Sequence, residues 1–148
     1  ALVELETGHD PPFHRADGWL LRATDYSPEL KAISGPRGGV YELRIYESPT
    51  EKQLRALNER FAGPEIPIFH RNGIHPVFYA ETAIGPNMPN LTYLTPFDSL
   101  AQREQAWRAF GADPEWPKAL SASIARSGEI VRNITSILLS PTSYSMLR

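Results

Sequence analysis

The sequence contains no cysteine among its 148 residues. This absence excludes disulfide bonds, thiolate nucleophiles and cysteine-ligated zinc, although exported proteins can also lack cysteine. No apolar run approaches the roughly 20 residues that a membrane-spanning helix needs, so we predict no membrane insertion. The chain begins at Ala1 without a methionine or a charged-then-apolar leader, and we expect a processed form or a fragment. A soluble, cytoplasmic protein is favoured, and a removed export signal stays open as an alternative.

The sequence also lacks an excess of charge and the motifs of common cofactor sites. Its formal net charge of -2 gives no broad basic surface, so we expect no nucleic-acid partner. The four histidines His9, His14, His70 and His75 form no tight helical pair and no cluster with carboxylates, which predicts no metal site. The glycine-rich segment 35–39 precedes a strand and not a helix, so it is interpreted as a linker and not as a phosphate loop. We therefore expect no cofactor.

The clearest element that is present is the segment Val40–Glu47, which alternates between two kinds of side chain. This two-residue period is typical of a strand with two different faces. One face is apolar, and the other carries Glu42, Arg44 and Tyr46. Because an acid, a base and a phenol are unusual on one face of a central strand, this polar face is the best candidate site.

The order of elements after this strand predicts a ferredoxin-like α+β fold. Two capping boxes, Thr50 with Gln53 and Ser99 with Gln102, indicate helix starts. The predicted order is strand, helix, strand, strand, helix, strand, which corresponds to a βαββαβ unit with an antiparallel sheet. Its segments are 40–47, 50–62 with a separate short helix at 66–71, 77–82, 91–95, 99–126 with a restart at Asp113-Pro114, and 131–139. The helices are expected to cover one sheet face, and the other face, left bare, would pair with a second sheet to form a dimeric α+β barrel.

Residues 1–39 are predicted to be an N-terminal appendage and linker to a domain at 40–148. The appendage carries a faint internal repeat: residues 20–27 and 138–145 share Leu, Leu, Thr, Tyr and Ser at matching positions, 118 residues apart. Because this offset is the length of one domain, the N-terminal segment is interpreted as the last strand of a preceding tandem copy. Coincidence in a short window of common residues is the alternative.

Several motifs together resemble those of the NIPSNAP family over about residues 40–144. They are Tyr41 to Tyr46, Phe69-His70 with Gly73, Tyr93, Asp98 to Arg103, Trp107, Phe110 and Asp113 to Trp116. The resemblance implies a dimeric α+β barrel, and some members carry two tandem copies. It implies no activity, although a ligand-binding or a vesicle- or mitochondria-linked role has been proposed for the animal proteins.

Five residues are candidate ligand contacts in the lumen between two paired sheets: Glu42, Arg44, Tyr46, Tyr79 and Tyr93. Arg44 could hold an anionic ligand through its planar fork, or instead pair with Glu42 or Glu81. The tyrosines could orient a ligand oxygen, or simply pack with a wet tip. Trp107 and Trp116 are interpreted as core residues.

Three functions follow as hypotheses. The first is a small-molecule binding domain without turnover. The second is a cofactor-independent, monooxygenase-like or isomerase-like enzyme with His70 or His75 as the base, an idea that rests on fold analogy. Against it, a loop histidine usually does no more than hydrogen-bond backbone or water. The third is an assembly module, in which a homodimer or a tandem pseudo-dimer only joins chains.

Overall fold

The computed structural model describes residues 15–31 and 39–147 of the chain. Most of the appendage and the linker predicted for residues 1–39 lies outside these ranges. The strands are β1 (Leu20–Ala23), β2 (Val40–Glu47), β3 (Phe78–Ile84), β4 (Asn90–Phe97) and β5 (Asn133–Leu139). The helices are α1 (Glu51–Arg60), α2 (Ile66–Arg71), α3 (Leu100–Ala112) and α4 (Trp116–Ser127), and a π-helical turn (Phe61–Glu65) joins α1 to α2.

The strands form one antiparallel sheet in the order β1-β3-β4-β2-β5. The unit from β2 to β5 is the predicted βαββαβ arrangement, so the ferredoxin-like α+β fold is confirmed. β1 extends this unit as a fifth strand at the edge formed by β3, with Ala23 opposite Ala80. Within the described ranges, no helix is long and apolar enough to cross a bilayer.

Local signals set the helix starts as predicted. Thr50 accepts a hydrogen bond from the Lys52 amide (3.2 Å), and Ser99 accepts one from the Gln102 amide (3.1 Å). Each bond satisfies an amide that the first helical turn leaves without a partner. The predicted restart at Asp113-Pro114 was early, because α4 begins at Trp116.

The predicted break after α1 is present. Gly63 has non-helical angles (φ -93°, ψ -106°), so the chain kinks inside the turn Phe61–Glu65, and α2 follows as a separate short helix. A π-turn accommodates one extra residue, so side chains five positions apart come together. Arg60 and Glu65 have this spacing, and both are buried.

The polar face of β2 points toward the helices. Tyr46 belongs to the core with Phe61, and Glu42 accepts a hydrogen bond from Trp107 of α3. Arg44 lies between them on the same face, with its guanidinium carbon 4.2 Å from the centre of the Trp107 ring. The expectation that these three side chains enter the space between two paired sheets was therefore wrong: they lie beneath the helix layer of their own domain.

The opposite face of the sheet is less bare than the sequence suggested. Tyr41, Ile45 and Thr92 are only 7%, 6% and 4% exposed within the single chain, so the expectation of an uncovered face was wrong at its centre. Tyr41 also lines a small cavity of about 270 Å³ together with Pro141 of the C-terminal segment. Towards the β5 edge the face is open, since Ile137 remains 40% exposed.

Candidate functional site

A fully buried carboxylate organises the helix-facing side of β2. The Glu42 carboxylate accepts two hydrogen bonds from Arg103 (2.7 and 2.8 Å) and one from the Trp107 indole (2.7 Å). It also accepts one from the Ser136 hydroxyl (2.6 Å) and one from Arg44 (3.1 Å). Burial alone would raise the pKa of Glu42, but the bonds from Arg103, Ser136 and Trp107 and the charge of Arg44 hold it below its usual value. All of its acceptor capacity is used inside the protein, so Glu42 positions its neighbours.

Arg44 is much less well partnered than Glu42. The predicted ion pair with Glu42 is present, whereas the alternative partner Glu81 binds Arg22 instead (2.7 Å). The guanidinium stacks on Trp107 and approaches the Tyr46 ring (5.4 Å), and its side chain is 15% exposed. Within the described residues, the buried Nε of Arg44 has no hydrogen-bond partner. The Glu42 carboxylate also accepts four other hydrogen bonds, so it does not fully balance the charge and the donors of Arg44.

The three candidate tyrosines lie side by side in the core. The Tyr93 hydroxyl donates to the Tyr46 hydroxyl (2.9 Å), which leaves the Tyr46 proton available to another acceptor. The hydroxyl of Tyr79 is buried and has no hydrogen-bond partner among residues 15–31 and 39–147. Burial raises the pKa of all three, so they act as neutral hydroxyls near pH 7.

A second buried ion pair lies next to these tyrosines, and sequence reasoning missed it. Arg60 donates to Glu65 (2.6 Å), contacts the Ser123 hydroxyl (3.3 Å) and stacks on Trp116 (5.1 Å). Burial raises the pKa of Glu65 to about 7, and the charge of Arg60 and its hydrogen bond oppose this rise. The interruption at Gly63-Pro64 was the available signal, since π-turns frequently mark functional sites.

A groove between α4 and β5 gives access to this region. It has a volume of about 620 Å³ and is named here the β5 groove. Among the residues that line it are Tyr46, Arg60, Trp116, Leu120, Ile130 and Ile134. Tyr46 and Arg60 are its buried polar residues, and Glu129, Arg132 and Asn133 are exposed ones. The other walls are apolar, and an apolar lining with a few polar groups is the usual composition of a small-molecule site. Of the predicted ligand contacts, only Tyr46 lines the groove directly.

The two candidate bases lie elsewhere. His70 lies in the last turn of α2, and His75 precedes β3. Their rings stack at a centroid distance of 5.1 Å, and both side chains are exposed. Partial burial, followed by the charge of His75, lowers the pKa of His70, so it is mainly neutral at pH 7. Neither histidine is among the residues that line the β5 groove. Within the described part of the chain, no group of three His, Asp or Glu side chains could hold a metal ion.

Comparisons with known proteins agree with this fold. No curated protein matches the chain. An uncharacterized NIPSNAP-like domain protein from Burkholderia xenovorans superimposes with a TM-score of 0.63 at 22% identity, covering 72% of this chain and 88% of that one. A NIPSNAP family protein from Agrobacterium tumefaciens str. C58 gives 0.65 at 23% identity, covering 80% and 98%. A NIPSNAP family protein with unknown function from the same organism gives 0.64 at 22%, covering 74% and 94%.

These structural similarities support the fold alone, and the sequence supports the family. The NIPSNAP family model matches residues 41–146, which span β2 to the C-terminal segment and include Glu42, Arg44 and Trp107. The chain therefore belongs to the NIPSNAP family.

Proposed function

We propose that this NIPSNAP domain binds a small, partly apolar molecule that carries an anionic group, and that the β5 groove is the binding site. The anionic group lies against Tyr46 and Arg60, and Arg44 lies next to Tyr46 without lining the groove. This places the ligand beneath the helices and not between two sheets.

The observation that carries the proposal is the incomplete pairing of Arg44. A buried guanidinium is stable when its charge and its donors are matched, and Arg44 has one bond to a shared carboxylate and an unpartnered Nε. Arg103 is the main partner of Glu42, because it donates two hydrogen bonds to the carboxylate. Arg44 does not line the groove, but its guanidinium lies 5.4 Å from the ring of Tyr46, which does, so a ligand carboxylate or phosphate against Tyr46 would bring negative charge close to Arg44.

Arg60 is a second cation at the same groove. Arg60 lines the β5 groove and brings a second guanidinium to the side of the groove where Tyr46 lies. The free proton of Tyr46 can donate to a ligand oxygen, and the apolar walls formed by Leu120 and Ile134 suit a hydrocarbon or aromatic body.

The test is ligand identification by native mass spectrometry of the purified protein, followed by thermal-shift titration with small carboxylates and phosphates. We expect Arg44→Met, which keeps the stacked stem but removes the charge, to weaken binding by about tenfold or more. Tyr46→Phe should weaken binding without loss of the fold. Arg22→Met is the matched control, because Arg22 is an exposed cation on β1. Equal binding by wild type, Arg44→Met and Tyr46→Phe would contradict the proposal.

The enzyme hypothesis receives no comparable support from the geometry. Its two candidate bases, His70 and His75, lie on the surface outside the β5 groove, whereas the titratable side chains that line the groove are Tyr46, Arg60, Arg132 and the exposed Glu129. Binding without turnover is therefore the function that the contacts favour.

A further inference from the structure

We infer, on the basis of the proposed function, that the β5 groove takes a ligand with a single negative charge, and that Glu65 excludes dianions. A singly charged carboxylate fits this site, whereas a doubly charged phosphate ester or dicarboxylate does not. The charges that lie between the sheet and the helices support this choice.

Two buried glutamates share three arginines in this layer. Arg103 is bonded to Glu42, and Arg60 is bonded to Glu65. Burial raises the pKa of both glutamates, and the charge of Arg44 acts against this rise at both. These five side chains, at most 17% exposed, are named here the charge cluster.

The charge cluster carries one positive charge in excess, because three arginines face two glutamates. The other acidic partner of Arg103 is Glu104, which is 64% exposed, so solvent screens its charge. On the rim of the β5 groove, the exposed Glu129 and Arg132 have opposite charges. An excess charge in a buried layer is unfavourable, and one negative charge from a ligand balances it.

Arg60 connects the charge cluster to the groove. Its Nε donates to Glu65 (2.6 Å), and its Nη1 donates to the Ser123 hydroxyl (3.3 Å). The guanidinium also stacks on the Trp116 ring, and Arg60 lines the groove. Its Nη2 makes no hydrogen bond to another side chain within the described residues, so this nitrogen can donate to a ligand oxygen. A ligand held in this way has Glu65 on the other side of the same guanidinium.

This arrangement makes Glu65 a barrier to a second ligand charge. The first negative charge of a ligand offsets the excess that Arg44 contributes. A second one has no unmatched cation in the charge cluster, and it lies close to the Glu65 carboxylate in a poorly solvated site. Like charges at short range in such a site repel strongly, and repulsion of the wrong partner is an effective source of specificity.

The other titratable groups around Glu65 are neutral near pH 7. Burial raises the pKa of the tyrosines that also sense its charge, which are Tyr26, Tyr46, Tyr79 and Tyr93. Helix α4 faces the ion pair with Ser123 and Trp116, which do not ionise in this range. The protonation of Glu65 therefore sets the charge of the site near neutral pH.

Calorimetric titration with two matched ligands tests the charge preference. Octanoate and hexylmalonate have the same hydrocarbon chain, and hexylmalonate adds a second carboxylate on the same carbon. The measurement is made at about pH 8, above the pKa of about 7 to which burial raises Glu65. We expect the wild type to bind octanoate more tightly by about tenfold or more. Glu65→Gln leaves a second positive charge in excess, so the preference should shift toward hexylmalonate by about tenfold or more.

Glu59→Gln is the matched control, because Glu59 precedes Arg60 on α1 but is 62% exposed. It removes the same charge outside the charge cluster, so the ratio of the two affinities should stay at the wild-type value. Equal affinities of the wild type for the two ligands, or an unchanged ratio in Glu65→Gln, would overturn the inference and leave the proposed function intact. Binding of neither ligand by the wild type would overturn both.

A pH series on the wild type tests the same point without a substitution. As the pH falls from about 8 to about 6.5, Glu65 takes up a proton and no longer repels a second ligand charge. Both ligands stay largely ionised over this range, so the preference for octanoate should shrink by about threefold. A ratio of affinities that stays constant across the series would contradict the role of Glu65.

Discussion

At the scale of single residues, this domain is distinguished by charges that lie inside the helix–sheet interface. Glu42 is fully buried and accepts five hydrogen bonds, two of them from Arg103. A buried carboxylate is tolerated only with such a complete set of donors, and each donor in turn is fixed in place by it. Glu42 thereby orients Arg44 and Trp107 above β2, and so sets the position of the cation that we assign to ligand binding.

Replacement of Glu42 by glutamine should be strongly destabilising. The Glu42→Gln side chain keeps the size but removes the charge, so Arg44 and Arg103 lie close together without a shared counter-charge. Breaking a buried pair in this way costs about 3 kcal/mol or more. Urea denaturation would measure the loss of free energy of unfolding. Glu104→Gln, which removes the exposed partner of the same Arg103, is the control and should cost less than about 1 kcal/mol.

Protonation of Asp113 should account for part of the loss in free energy of unfolding at low pH. Hydrogen bonds from Arg71 (2.6 and 2.7 Å) and from Asn72 (2.9 Å) hold the pKa of Asp113 well below its ordinary value of 3.8. The folded state therefore binds fewer protons than the unfolded state, and this contribution to stability is present above about pH 4 and is lost as the pH falls further. Asp113→Asn should lower stability at pH 7 and flatten the decline below pH 4, as followed by denaturation at several pH values. A variant whose acid decline stays parallel to that of the wild type would contradict this account.

At the scale of elements, the π-helical turn between α1 and α2 creates the second buried ion pair. In a regular α-helix, residues three and four apart are neighbours, and residues five apart are not. The turn brings Arg60 and Glu65 to 2.6 Å of each other and aims both at the core beside Tyr46. Pro64 lies inside this turn, where an ordinary helix would lose a hydrogen bond.

The pair should behave as a unit in a double-mutant cycle. Arg60→Met leaves Glu65 without its counter-charge in an apolar site, and Glu65→Met leaves Arg60 unpaired, so each single change should cost about 3 kcal/mol. The combined variant removes both charges and should be clearly more stable than the sum of the single changes predicts. The measurement is the free energy of unfolding of all four proteins. Additive losses would show that the two side chains are not coupled.

The sequence predicted the elements better than it predicted the direction of the polar face of β2. Caps and strand alternation are local, and they identified the start of α1 at Thr50 and the strand Val40–Glu47. Alternation defines two faces but does not say which one meets the helices. That choice depends on partners of Glu42 that are 61, 65 and 94 residues away: Arg103, Trp107 and Ser136. Each was visible in the sequence, but only the fold brings them together.

At the scale of the whole molecule, the sheet face opposite the helices differs between its centre and its β5 edge. The centre of the face opposite the helices is buried within the chain, so it gives less reason for sheet-on-sheet pairing than the sequence suggested. Along the β5 edge of this face, named here the β5 margin, the side chains are open to solvent: Ile137 is 40% exposed and Leu139 is 43% exposed. Exposed apolar side chains that are adjacent on a strand favour an interface there.

We expect the chain to be dimeric at micromolar concentration, with the β5 margin in the contact. Ile137→Glu places a charge in this apolar margin, and burying it at an interface would be costly, so the dimer should dissociate at concentrations where the wild type remains associated. Sedimentation velocity over a concentration series would measure the shift. Leu100→Glu is the matched control, because Leu100 is also exposed (52%) but lies at the start of α3, on the helix side. A wild-type monomer across the series, or equal dissociation by Ile137→Glu and Leu100→Glu, would show that the β5 margin is not an interface.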